Sequence, residues 1–109
     1  MPDETPVPSY VSCFKGLIEK ILTNNPYAKI YVGCMMLSGN VLSESQKSDY
    51  LLNAELHKQI ANIYGCEFVN MLEVGFNQYN ASYHHTGGHI HPTNEGGDIM
   101  GEFLSRKMR

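Results

Sequence analysis

Hydrophobic positions fall in five stretches separated by polar turns. From Ser9 to about Thr23, Val11, Phe14, Leu17, Ile18, Ile21 and Leu22 recur at helical spacing. Ser9 is placed to cap that helix, and Asn24-Asn25-Pro26 stops it. Lys29–Leu37 (KIYVGCMML) is an almost unbroken apolar run. This is the pattern of a strand covered on both faces, ended by the turn Ser38-Gly39-Asn40. After a polar loop over 40–47, a second helix is expected from about Ser48 to Tyr64. Leu52, Leu56, Ile60 and Ile63 lie on its inner side, His57 on its exposed side, and Gly65 is its stop. Glu67–Met71 reads as a further short strand and 72–94 as a long irregular stretch. A last helix follows over about Glu95–Lys107, burying Ile99, Met100, Phe103 and Leu104.

Helices alternating with apolar strands imply a parallel pair joined by a helical crossover. Two strands do not make a stable open sheet, because a parallel sheet needs further strands and cover on both faces. The expected architecture is therefore the C-terminal part of a three-layer α/β/α doubly wound (flavodoxin-like) parallel-sheet domain. Residues 9–109 form that portion, and 1–8, with three prolines, form a flexible tether. The missing strands come from a partner chain, an upstream segment or a self-associated copy.

Composition narrows the partners. The 109 residues are 42% hydrophobic and 17% charged, as in a folded globule. A net charge of −3 with no Lys/Arg cluster argues against nucleic acid or an anionic membrane surface, and no apolar run is long enough to span a bilayer. Cys13, Cys34 and Cys66 are widely spaced without a C-x-x-C motif, and read as reduced structural thiols.

The segment richest in chemistry is Gly87-Gly88-His89-Ile90-His91-Pro92-Thr93-Asn94-Glu95-Gly96-Gly97. A histidine before proline, followed by a Thr-Asn helix cap, sets an imidazole at a helix mouth, where a general base can be held. The segment resembles the last sequence block of the SGNH (GDSL-type) serine hydrolases, Asp-x-x-His-Pro-Asn-x-x-Gly followed by a closing helix. The upstream order of helix, strand, helix and strand is similar to the later part of that fold. The resemblance implies hydrolysis of carboxylic esters, including lipids and acetylated sugars, without an organic cofactor or metal. It implies His91 as the base that activates a serine. The chain departs from the family in two ways. It carries no Gly-Asp-Ser nucleophile block and no Gly-x-Asn-Asp; Ser38-Gly39-Asn40 lies at a strand end, and Gly97-Asp98-Ile99 lies inside the last helix. The position matching the family's aspartate is Gly88, which offers only backbone.

The chain alone is therefore expected to lack esterase activity. An alternative is a non-catalytic binding or assembly module derived from the same fold. A third reading takes His89, His91 and Glu95 as a His-x-His-x-x-x-Glu metal set. Pro92 and the helix that follows oppose it, because the glutamate leaves the strand geometry such a set needs. His84 and His85 read as surface residues. Tyr79 and Tyr83, with the stretch Asn70–Asn80, are candidates for the rim of a pocket at the carboxyl end of the last strand.

Overall fold

The computed structural model describes residues 6–84 and 92–108. In chain order it contains α1 (Pro6–Asn24), β1 (Tyr31–Gly33), α2 (Glu44–Tyr64), β2 (Glu67–Val69), a one-turn 3-10 helix (Met71–Val74), α3 (Ala81–His84) and α4 (Asn94–Lys107). β1 and β2 are parallel, with Tyr31, Val32 and Gly33 opposite Glu67, Phe68 and Val69. The fold is a mixed α/β arrangement around a two-stranded parallel sheet.

Element boundaries correct the expectations in physical terms. α1 begins at Pro6, not after Ser9, so residues 6–8 of the expected tether are helical. First-turn amides have no acceptor inside a helix, so prolines there forfeit nothing. α2 begins four residues before Ser48. Ser43 caps it by accepting from the Gln46 amide, while the Gln46 side chain accepts from the Ser43 amide, so 44–47 are helix rather than loop. Gly65 closes α2 at φ 69°, a left-handed position that favours glycine.

β1 keeps only three residues of the nine-residue apolar run because side chains capture backbone amides just past both strands. The Met35 amide donates to Asn53 Oδ1 (2.9 Å), and the Met71 amide donates to Cys34 Sγ (3.3 Å). Those amides are withdrawn from any ladder. β2 likewise stops at Val69, where Asn70 Oδ1 turns to cap the 3-10 helix through the Leu72 amide.

The core joins Ile18 of α1, Val32 of β1, and Ile60 and Ala61 of α2, with Phe14, Leu22, Leu56 and Phe68 packed around them. α2 buries His57, Ile60 and Ala61. Relative to the apolar stripe of Leu52, Leu56, Ile60 and Ile63, its inward sector is turned by about 100°, one residue of helix. Leu52 (65% exposed) and Ile63 (61%) are therefore left in solvent.

His57, expected on the exposed side, is instead buried. Its ring stacks on Phe14 (centroids 5.0 Å), and Nε2 is hydrogen bonded to the Tyr10 hydroxyl. This ring is the polar pin between α1 and α2. A second tie is the Tyr64 hydroxyl, which donates to the Glu19 carboxylate, and that bond pushes its pKa up to about 12. The three cysteines are free: Cys13 is exposed, and Cys34 and Cys66 are half-buried. Burial pushes the Cys66 thiol pKa up.

Burial lowers the His57 pKa, an effect partly offset by the Gly33 carbonyl facing the ring. The unfolded chain then binds this proton more readily than the folded one. The stabilisation from neutral His57 is complete above about pH 6.5 and is lost as pH falls below that value. Urea midpoints should decrease between pH 7.5 and 5, and the decrease should shrink in His57→Gln.

Candidate functional site

Both strands point their carboxyl ends at the same pair of segments, 34–43 after β1 and 70–84 after β2. The second segment is shaped by asparagines. Asn80 Oδ1 accepts from the Asn77 amide (3.0 Å), and its Nδ2 donates to the Gly75 carbonyl (2.9 Å). Asn77 Oδ1 accepts from the Tyr79 amide (2.9 Å). These side chains replace a ladder with local turns, which accounts for a short α3 within an irregular stretch.

The two segments enclose a cleft of about 320 Å³. Its walls include Ser38, Asn40, Lys47, Gln78 and the strongly exposed Tyr79. A second, more apolar cleft of about 410 Å³ is lined by Met35, Asp49 and Tyr50 and shares Ser38, Asn40, Val41 and Leu42 with the first. The rim expected over Asn70–Asn80 thus contributes Asn77, Gln78 and Tyr79 to a real cleft. The Ser38 hydroxyl accepts from the Asn40 amide (3.3 Å).

The mouth of α4 is fastened to the end of α3. The Thr93 amide donates to the His84 carbonyl (2.8 Å), and Thr93 Oγ1 accepts from the Gly96 amide (3.2 Å), capping the helix as its sequence expects. Gly96 is buried at this seam. A Cβ there would run into the His84 carbonyl and lie 3.0 Å from the Pro92 ring.

His84 is not the surface residue that its neighbours suggest. Its side chain is 17% exposed, its ring stacks on Phe76 (centroids 5.4 Å), and Nδ1 lies 3.7 Å from Glu95 Oε1 in the first turn of α4. Sequence reading missed this residue; its placement depends on the Thr93 bond, which no local pattern announces. His91 lies outside the described residues, as do Gly88, His89 and His85. Glu95, the carboxylate of the metal reading, faces His84, and among the described residues no three metal-ligating side chains converge.

Compared with known proteins, the chain matches no family model, no curated protein and no solved structure. Among the described residues, no helix is long and apolar enough to cross a membrane.

Two glycine substitutions test the seam between α3 and α4. Gly96→Ala must displace the His84 carbonyl, and should lower stability by about 1–3 kcal/mol. Gly97→Ala meets nothing within 4 Å and sits in helix. It should raise stability by about 0.5–1 kcal/mol. Paired thermal melts read the difference.

Proposed function

We propose that this chain is the C-terminal portion of a three-layer, doubly wound α/β/α domain of the SGNH type. Its role is to deliver a general base, His91, to an ester-hydrolysing site that another polypeptide segment completes. The single observation that carries this is Gly96. In the SGNH block a glycine follows the His-Pro pair at a fixed interval, and counting from His91-Pro92 that glycine is Gly96. Here it sits at the contact between the mouth of α4 and the His84 carbonyl, where a side chain has no room. Thr93, at the family's asparagine position, performs the capping that asparagine also performs. The spacing of the motif thus has a physical purpose. It seats the helix mouth against the segment that follows β2, and that segment leaves the carboxyl end of the sheet, where open α/β sheets carry their sites.

In this role His91 takes the proton from a serine hydroxyl during attack on the ester carbonyl and returns it to the leaving alcohol. The serine and the oxyanion donors must be brought in, since the chain has neither the Gly-Asp-Ser nor the Gly-x-Asn-Asp block. Substrates of this class are carboxylic esters, acetylated sugars among them, and no metal or organic cofactor is called for.

The completing segment is a parallel βα unit laid along the free edge of the sheet. Each strand has one neighbour among the described residues and so one unpaired edge. Apolar side chains are also spare on α1 and α2. Tyr10, Leu52 and Leu56 line an almost wholly apolar cleft of about 460 Å³, which meets the Met35–Val41 cleft at Asp49. The fold is also thin. It measures 43 × 41 × 18 Å with a radius of gyration of 15.8 Å, where a compact chain of this length would have about 13 Å. A thickness of 18 Å fits a sheet with one helical layer, one fewer than the proposed domain has.

The purified chain should not hydrolyse a short-chain nitrophenyl ester. Mixed with an SGNH N-terminal half that carries Gly-Asp-Ser, it should gain turnover that His91→Ala abolishes. Turnover by the chain alone that disappears in His91→Ala would overturn the split-site proposal. Light scattering should give a mass above 12.2 kDa for the isolated chain, because an uncovered edge and flank favour self-association.

A further inference from the structure

The block that resembles a hydrolase motif has lost its carboxylate at Gly88, yet the structure holds another imidazole facing another carboxylate. We propose that His84 and Glu95 form an acid–base pair at the seam between α3 and the mouth of α4, with Glu95 holding the Nδ1 proton and Nε2 free to accept a proton from the hydroxyl of a ligand or water. The location takes its meaning from the ester-processing role proposed above, but the pair itself stands on described residues alone.

Three features support it. The first is the orientation of the ring. Nδ1 is sealed from solvent with no hydrogen-bond acceptor or donor in reach, and the nearest charged atom is Glu95 Oε1 at 3.7 Å. Glu95 is 68% exposed, so a small rotation of its side chain closes the remaining gap. Such bonds are often long before a ligand is bound. The second feature is the open edge. The side chain keeps 17% of its surface in solvent while Nδ1 is sealed, and Nε2 is not among the sealed polar atoms. Carboxylate on Nδ1 and open Nε2 is the polarity that a general base requires, because the carboxylate fixes the tautomer and stabilises the imidazolium that forms.

The third feature is rigidity. The ring is stacked on buried Phe76, and its own carbonyl is bonded to the Thr93 amide, the bond that also sets where Glu95 begins α4. One backbone contact therefore positions both partners. Tyr83 lies beside the ring (centroids 6.3 Å) with its own side chain in solvent, so a ligand that reaches Nε2 also meets an aromatic face.

A purely structural ion pair makes the opposite chemical prediction. It holds the ring as imidazolium, which is not a nucleophile, and removing Glu95 would then leave reactivity unchanged or increase it. The distinguishing measurement is carbethoxylation of the intact chain by diethylpyrocarbonate at pH 7.5, with rates read residue by residue by mass spectrometry. His84 should be modified, and roughly threefold or more slowly in Glu95→Gln, with the His57 rate unchanged. Nitrogen-15 spectra of the unsubstituted chain give a second reading, with a protonated Nδ1 and an unprotonated Nε2 expected for His84. Equal or faster modification of His84 in Glu95→Gln, or a ring protonated on Nε2 alone, would overturn the proposal. Neither measurement requires ester turnover, so a failed complementation assay and a failed His84 assay remain separate results.

Discussion

Burial of Ile60 and Ala61 against Val32 turns a three-rung pair of strands into a sheet. Three rungs of parallel ladder are too few to persist in water. They hold here because α2 is laid along them and α1 adds Ile18 to the same cluster. That contact fixes the pair of strands against the helices. It sets the direction in which both strands discharge their chains, and so brings the segments after β1 and β2 together as the walls of one cleft.

The same contact explains what the hydrophobic pattern could and could not disclose. Alternation of helix and strand, the stop at Asn24-Asn25-Pro26, the Gly65 cap and the Thr93 cap were legible because each is decided by neighbours in sequence. The length of β1 was not, because it is decided by Asn53 and Met71, residues remote in sequence from Met35 and Cys34. The inward face of α2 was misplaced for a related reason. An apolar stripe records every surface that a helix is built to cover, and the fold uses only one side of this one. Leu52 and Ile63 belong to the stripe without belonging to the core.

The candidate site divides in the same way. The Thr93 cap and the helix behind it could be read from the sequence, and so could the polar rim after β2. His84 could not, since its burial depends on a backbone bond between residues nine positions apart and on the absence of a Cβ at Gly96. His57 was hidden by the polar residues around it. An imidazole can enter a core when a phenol such as Tyr10 supplies its bond and an aromatic face such as Phe14 its packing.

The thinness of the fold has a hydrodynamic consequence. A plate of 43 × 41 × 18 Å drags more solvent than a sphere of equal mass. It diffuses slowly and elutes early from a sizing column. An elution volume would therefore mimic a larger species even for a single copy, so stoichiometry has to be judged from methods that weigh the particle without reference to its outline.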